Sequence, residues 1–246
     1  MRETFTLKLL DKNIRITALY SYIREYCRDY LTDSDSIDFE IAVNEGDIEY
    51  ERKRSAAEDK KEGVPTRNFR DEYLETLAVY RKIAEKMLDY DTLLFHGSAV
   101  AVDGSAYLFT AKSGTGKSTH TRLWREYLGE RAVMINDDKP LIRASESGII
   151  IYGTPWDGKH RLSTNIGVPL KAICILERAE ENSIEEITPS DAYNMLVQQT
   201  YKPNGAAKLI KTLQLIDRLS ANVRLYRLGC NMDIGAAEVA FHKLSQ

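Results

Sequence analysis

Apolar residues recur along the chain at two spacings, and these spacings predict an alternation of strands and helices. Short apolar or alternating runs, which are typical of strands, lie at residues 4–10, 13–18, 36–43, 98–102, 106–110, 132–135, 141–143, 148–152, 170–177, 183–187 and 222–228. Apolar positions three and four residues apart predict helices over residues 19–31, 69–88, 119–128, 191–199, 205–220 and 233–244. We expect residues 222–228 to form an edge or closing strand, and Asp233 to cap the last helix. The pattern therefore predicts an α/β protein.

The N-terminal third of the chain differs from the rest in its charge pattern. Residues 47–63 are dense in charges of both signs, which indicates a solvated helix face or a mobile loop. Pro65 then marks a break, and the amphipathic pattern over residues 69–88 predicts a helix that joins the N-terminal portion to the core. We expect an N-terminal α+β portion at residues 1–90, which could select a substrate, and a core at residues 91–246.

A predicted hairpin leads into the segment with the clearest chemical signature. Within an expected hairpin over residues 93–110, the strands at 98–102 and 106–110 flank Asp103-Gly104, a dipeptide that two-residue turns favour. The segment that follows, residues 111–119, therefore hangs from the second strand of an antiparallel pair. We call this segment the Gly–Lys loop.

The Gly–Lys loop reads Ala-Lys-Ser-Gly-Thr-Gly-Lys-Ser-Thr and lies between a strand pattern and a helix pattern. In such a setting, backbone N–H groups surround phosphate oxygens, Lys117 neutralises their charge and Ser118 can bind Mg²⁺. The alternative is a Gly/Ser-rich turn, but the Lys-Ser pair directly after the second glycine favours phosphate binding. The residues expected to bind the nucleotide are Ser113, Gly114, Thr115, Gly116, Lys117, Ser118 and Thr119.

Two adjacent carboxylates follow the next predicted strand. Asp137 and Asp138 come just after residues 132–135, one helix and one return beyond the Gly–Lys loop, which can place them beside the phosphate site. One carboxylate could hold Mg²⁺ while the other accepts a proton from an attacking hydroxyl. The alternative is a polar turn after a strand, which we would favour if the Gly–Lys loop were not there.

Several other polar side chains are candidates for the same site. The polar loop at residues 153–165 carries three cationic groups that could clamp the transferred phosphate or an acidic group of a substrate, namely Lys159, His160 and Arg161. Solvation of these groups is an equally good interpretation. His120 could contact phosphate or face solvent. His96, considered alone at a strand end, is more typical of a structural residue.

Composition narrows the class of protein. The net charge is −3 and the isoelectric point is about 5.9, so no attraction to nucleic acid or to an anionic membrane is indicated. The three cysteines are far apart in sequence and lack metal-ligand spacing, which suits reduced thiols in a cytoplasm. The first residues contain no apolar signal-peptide segment, and no apolar run approaches the roughly 18 residues that a membrane span needs. We expect a cytoplasmic protein.

The run from His96 to Asp138 resembles the catalytic domain of HPr kinase/phosphorylase and, more distantly, ATP-dependent phosphoenolpyruvate carboxykinase. It has His-Gly, a hairpin, Ser-Gly-Thr-Gly-Lys-Ser and an apolar strand that ends in Asp-Asp. The resemblance implies a mixed-sheet P-loop core in which the loop binds ATP. It also implies that Asp137 accepts the proton of a serine hydroxyl, that Ser118 and Asp138 bind Mg²⁺, and that His96 and Lys117 belong to the active site.

Two positions depart from that family. Ala111 stands where the family usually has glycine, and Thr119 stands where the HPr enzymes tend to have glutamate. The resemblance therefore implies a compact, divergent kinase rather than an enzyme that acts on HPr itself. Assembly into a homo-oligomer would follow only by analogy.

We expect an Mg²⁺-ATP-dependent kinase that phosphorylates a hydroxyl of a peptide, a protein or a small molecule. An ATP-binding regulatory module and a nucleotide hydrolase remain the alternatives. The sequence leaves the choice between ATP and GTP open.

Overall fold

The structure, a computed structural model, describes residues 2–246, apart from the side chain at position 62. The chain divides after Lys86 into two compact units. This division lies a few residues before position 90, where the sequence suggested a boundary. The two units are described in turn.

The N-terminal unit is built on a small sheet of β1 (Glu3–Leu9), β2 (Lys12–Ala18) and β3 (Phe39–Ala42). Strands β1 and β2 are antiparallel, and β3 runs parallel to β2. The helices of this unit are α1 (Tyr22–Tyr26), α2 (Glu45–Glu62) and α3 (Asp71–Met87). The expected helix over residues 69–88 is thus confirmed as α3.

The expectation of one helix over residues 19–31 is wrong. Only α1 and a separate 3₁₀ turn at Arg28–Tyr30 are helical. The buried carboxylate of Glu75 accepts hydrogen bonds from the backbone N–H groups of Leu19 and Tyr20, at 2.6 and 3.0 Å. These bonds hold the segment before α1 in a turn, because the two N–H groups are bound to a side chain distant in sequence.

The charge-dense segment forms α2, so the helical interpretation of it holds. A capping box between Asn44 and Asp47 starts the helix, and Gly63, with a left-handed φ of 70°, ends it. Two carboxylates on this helix are buried: Glu51 binds the guanidinium of Arg81, and Asp59 binds that of Arg67, each at 2.5 Å. Tertiary ion pairing therefore stabilises a helix that has almost no apolar stripe.

Within the described residues, the second unit contains a nine-stranded mixed sheet with helices on both faces. Its strands are β4 (Thr92–Leu94), β5 (Ser98–Val102), β6 (Ser105–Thr110), β7 (Ala132–Asn136), β8 (Leu141–Ser145), β9 (Gly148–Tyr152), β10 (Gly167–Arg178), β11 (Ser183–Glu186) and β12 (Arg224–Cys230). Its helices are α4 (Lys117–Leu128), α5 (Pro189–Gln199), α6 (Ala206–Asn222) and α7 (Ile234–Leu244). The mixed α/β class is confirmed.

The order of the strands places the long strand β10 at the centre. The main path runs β4-β8-β9-β10-β6-β5-β7, and β12 pairs with both β10 and β11. The first residues of β10 pair with β9, and the later residues pair with β6 and β12. One continuous strand therefore joins the two parts of the sheet.

The two faces of this sheet bury separate hydrophobic clusters. One cluster includes Leu196 of α5 and Leu219 of α6, and the other includes Trp124 of α4 and Ala237 of α7. The Trp124 ring packs at 5.0 Å from Phe109 of β6, centroid to centroid. This contact fixes α4 against the strand that precedes it in sequence.

The hairpin at Asp103-Gly104 is confirmed, since β5 and β6 pair antiparallel around it. Three details differ from expectation. Strand β4 pairs with β8 and is not part of the hairpin. Strand β12 lies between β10 and β11, so it is not an edge. Asp233 occupies the N-cap position of α7, but its side chain makes no capping hydrogen bond.

The loop after β9 is attached to the sheet through its own backbone. Gly153 N–H donates to the Ile166 carbonyl and Thr164 N–H donates to the Ile135 carbonyl, each at 3.2 Å. A Cβ at position 153 would lie 2.1 Å from the Thr164 carbonyl oxygen and 2.6 Å from the Ile135 carbonyl oxygen. Only glycine allows this close approach of three backbone segments.

We expect Gly153→Ala to lower the free energy of unfolding of the second unit by about 1–3 kcal/mol, because the added methyl group must displace backbone atoms. Both tryptophans of the chain, Trp124 and Trp156, lie in this unit, so tryptophan fluorescence during urea unfolding reports the change. Gly235→Ala is the control, since a Cβ there makes only one ordinary contact, at 3.7 Å. A midpoint equal to that of the control would contradict the prediction.

Candidate active site

The Gly–Lys loop connects β6 to α4 at one edge of the sheet. Gly114 and Gly116 have φ values of 76° and 119°, which side chains rarely adopt. Gly116 also stands at the N-cap of α4 without a side-chain cap, so backbone N–H groups of the first turn lack a side-chain partner there. These N–H groups and the helix dipole favour an anion at this end of α4.

Ala111 fits the loop without strain. It is buried at the end of β6, and its φ is not in the positive region, so backbone conformation does not require a glycine at this position. Its carbonyl accepts a hydrogen bond from the Lys117 ammonium at 3.1 Å. Lys117 is 9% exposed, and burial lowers its pKa while the nearby charge of Asp138 opposes that change. Lys117 therefore lies over the loop.

Sheet order brings the two carboxylates to the same edge as the loop. Strand β5 lies between β6 and β7 and is antiparallel to both, so the carboxyl ends of β6 and β7 point the same way. The Gly–Lys loop follows β6, and Asp137 and Asp138 follow β7. The sequence-based expectation that these groups meet therefore agrees with the strand order.

Asp137 is the buried member of the carboxylate pair. It is 8% exposed and accepts a hydrogen bond from the Ser98 hydroxyl at 2.6 Å. The Ser118 side chain of the Gly–Lys loop lies near it and also affects its charge. Burial raises the pKa of Asp137, although Ser98 and Ser118 oppose that shift. Asp137 is thus a more basic carboxylate than an ordinary aspartate, and it lies beside the loop.

Asp138 has a different set of partners. Its Oδ1 lies 3.2 Å from His96 Nε2 and 3.4 Å from Lys139 Nζ. Burial alone would raise the pKa of Asp138, but the hydrogen bond from His96 and the charge of Lys139 outweigh it, so the pKa is lowered. The hydrogen bond to Asp138 raises the pKa of His96. Burial and the charges of Lys139 and Lys117 together outweigh this effect, so the pKa of His96 is lowered. A neutral His96 can donate Nε2–H to an ionised Asp138.

Two side chains that the sequence analysis did not single out hold this arrangement. The Asn136 Oδ1 accepts from the backbone N–H groups of Asp138 and Lys139, at 2.8 and 2.6 Å. Ser98 bonds Asp137 on one side and the Thr121 hydroxyl, at 2.8 Å, on the other. Asn136 directly before the two aspartates was a readable turn signal, whereas the role of Ser98 depends on sheet order alone.

The three cationic residues of the 153–165 loop have different surroundings. His160 lines a cavity together with Asp137. Arg161 Nη1 donates to the Pro155 carbonyl at 3.2 Å, so its guanidinium is bound to its own loop. Lys159 is exposed. Of the three, His160 is the residue that the structure brings to Asp137.

Two cavities flank the first turns of α4. One, of about 380 Å³, is lined by Ser118, Thr119, Thr121, Arg122, Arg125, Met134, Asp137, His160 and Leu162. The other, of about 480 Å³, is lined by Gly114, Thr115, Gly116, Thr119, His120, Leu123, Leu176, Arg178, Ala179, Cys230, Asn231 and Met232. We call them the Asp137 cavity and the Met232 cavity. The Gly–Lys loop contributes residues to both.

Comparison with protein families gives a match that includes the Gly–Lys loop and both aspartates. The model of the SynChlorMet cassette protein ScmC matches residues 65–233, more than half of the chain. The chain belongs to the ScmC family. A comparison with curated proteins finds no match for this ScmC protein.

Among solved structures, one similar to this ScmC protein is the Hpr(Ser) kinase/phosphatase from Coxiella burnetii. The similarity covers 52% of this chain and 97% of that chain, at 14% identity and a TM-score of 0.28. A likeness at this level does not bear on the chemistry of the site. Within residues 2–246, none of the helices is both long and apolar enough to cross a lipid bilayer.

His120 differs from both interpretations that its sequence position allowed. It is buried, and its Nε2 accepts the indole N–H of Trp124 at 3.0 Å. Its ring also packs 4.6 Å from that of Phe109. Burial lowers the pKa of His120 to about 4. The residue supports α4 as a neutral side chain.

We expect the free energy of unfolding to fall by roughly 3 kcal/mol as the pH falls from about 6.5 to about 4, because the unfolded chain protonates His120 in that range and the folded protein does not. Urea unfolding at a series of pH values measures this slope. In His120→Gln, whose amide oxygen can still accept from Trp124, the slope should be reduced. His242→Gln, at an exposed position, should keep it; equal slopes in all three proteins would contradict the assignment.

Proposed function

We propose that this protein is an Mg²⁺-dependent kinase that transfers the γ-phosphoryl group of ATP to a hydroxyl. The observation that carries the proposal is the cavity wall that Ser118 of the Gly–Lys loop shares with Asp137. It brings together a loop suited to phosphate and a buried carboxylate suited to accept a proton. Phosphoryl transfer needs these parts in contact, because catalysis there is mostly positioning and electrostatics.

The nucleotide would lie over the Gly–Lys loop. Lys117 and the N–H groups of the first turn of α4 would bind its phosphates. The Met232 cavity continues from Gly114 and Gly116, and apolar side chains such as Leu123, Leu176 and Met232 suit the face of a base. This cavity is therefore our candidate for the nucleoside.

The oxygen ligands beside the loop fit Mg²⁺. Ser118 offers a hydroxyl and Asp138 an ionised carboxylate, as expected from the sequence. Within the described residues, no three His, Cys, Asp or Glu side chains group as a metal centre. A magnesium ion that keeps water and phosphate oxygens as ligands needs only one or two protein groups, so this ligand set suits it. When bound, the ion would neutralise charge on the phosphates.

Asp137 would accept the proton of the acceptor hydroxyl. Its pKa is raised by burial, and it faces the Asp137 cavity, where that hydroxyl would enter. His96 would act one step away by holding Asp138 in its ionised form. We propose that the N-terminal unit helps to select the acceptor.

The test is transfer of labelled phosphate from γ-labelled ATP to components of a host-cell extract, fractionated by size. Label in a peptide or protein fraction identifies a protein kinase, and label in the small-molecule fraction identifies a metabolite kinase. Lys117→Ala should abolish both, because the phosphates lose their cation. GTP in a parallel reaction decides the nucleotide.

We expect Asp137→Asn to lower the transfer rate about 10²–10⁴-fold while ATP affinity stays near that of the unaltered protein, since the amide cannot accept the proton. Ser147→Ala, at an exposed turn away from the loop, is the control. If ATP binds but label appears only as free phosphate, the protein is a hydrolase. If Asp137→Asn changes nothing and no transfer occurs, it is a nucleotide sensor.

A further inference from the structure

The Asp137 cavity has several basic side chains on its wall. Ser118, Arg122 and Arg125 lie four and three residues apart, so they share one face of α4, and all three line the cavity. His160 adds a further basic group, and Asp137 is the acidic residue of the lining. The arginines lie one and two turns beyond the Gly–Lys loop, too far along the helix to belong to it.

The two arginines differ in how their charge is satisfied. Arg122 is exposed and its Nη1 lies 2.5 Å from Glu126 Oε1, a pair one helical turn apart. Arg125 is half-buried, and its Nε is fully buried with no hydrogen-bond partner among the described residues. A buried guanidinium N–H without an acceptor is costly unless a ligand supplies one. Arg125 thus lines the cavity with a guanidinium whose Nε–H lacks an acceptor.

The size of the cavity limits which ligands could offer a hydrogen-bond acceptor to Arg125. Its volume is about 380 Å³, which holds a small molecule or two to three residues of a peptide. Ser118 and Arg125 are separated by roughly 10 Å along the helix axis, at about 1.5 Å per residue. Met134 and Leu162 provide apolar contacts. A compact molecule could therefore present a hydroxyl at Asp137 and a second group at Arg125.

We propose that the phosphoryl acceptor carries an anionic group, a carboxylate or a phosphate, which Arg125 binds with the help of Arg122 while the accepting hydroxyl lies at Asp137. This inference rests on the proposed kinase function. In the transfer, the acceptor oxygen forms a bond to the γ-phosphorus and the bond from that phosphorus to the β–γ bridging oxygen breaks. The hydroxyl proton passes to Asp137, and the nucleoside diphosphate leaves.

Paired acceptors test the substrate class. Short seryl peptides with a neighbouring Asp are compared with the same peptides carrying Asn, and glycerate and glycerol phosphate are compared with glyceramide and glycerol. We expect the anionic member of one pair to be preferred, and Arg125→Gln to raise its KM about tenfold or more with little change in kcat. Arg131→Gln, an equal loss of charge at an exposed site paired with Asp103, is the control. Equal use of charged and neutral members would overturn the proposal.

A second measurement does not depend on finding the acceptor. The Nε–H signal of Arg125, assigned by its loss in Arg125→Gln, is followed by NMR while phosphate or malonate is titrated into protein saturated with Mg²⁺ and a non-hydrolysable ATP analogue. A saturable shift supports the anion site, and an unchanged signal in nucleotide-bound protein overturns it. If the analogue does not bind, the kinase proposal fails by itself. The same titration of Lys117→Ala protein then still decides whether Arg125 binds an anion.

Discussion

The candidate site depends on the antiparallel pairing of β5 with both of its neighbours. Because β5 lies between β6 and β7, their carboxyl ends meet at one edge, and this placement brings the Gly–Lys loop and the two aspartates together. The Gly–Lys loop leaves β6, the two aspartates leave β7, and Ser98 at the start of β5 bonds Asp137 between them. If β5 paired with only one neighbour, the lysine and the carboxylates would have no common location.

The two aspartates show how identical side chains acquire different properties from their surroundings. Asp137 is enclosed and accepts a hydrogen bond from the neutral Ser98 hydroxyl, so burial dominates and its proton affinity rises. Asp138 contacts a histidine and a lysine, which favour its charged form. Adjacent residues on one turn therefore have opposite shifts in pKa. This separation suits a division of labour in which one carboxylate takes up a proton and the other stays negative.

The sequence predicted the structure correctly where residues close together in the chain determine it. Asp103-Gly104 specified its hairpin, and the apolar stripe of α3 specified that helix, because both depend on residues close in sequence. Residues 19–31 were misassigned because Glu75, far along the chain, binds the backbone there. Ser98 and Arg125 escaped notice for the same kind of reason. A serine in an apolar strand and an arginine on a helix are unremarkable until the sheet order and the cavity are known.

The long strand β10 has a consequence for how substrate choice could vary. Its first residues pair with β9, which leads into the loop that carries His160, and its later residues pair with β6, which leads into the Gly–Lys loop. The starting points of these two loops are therefore separated along the backbone of a single strand, at about 3.3 Å per residue. Side chains that line the Asp137 cavity but lie outside the Gly–Lys loop, such as Arg125 and Leu162, can therefore differ while the loop keeps its place. Specificity and chemistry are thus mechanically separable in this fold.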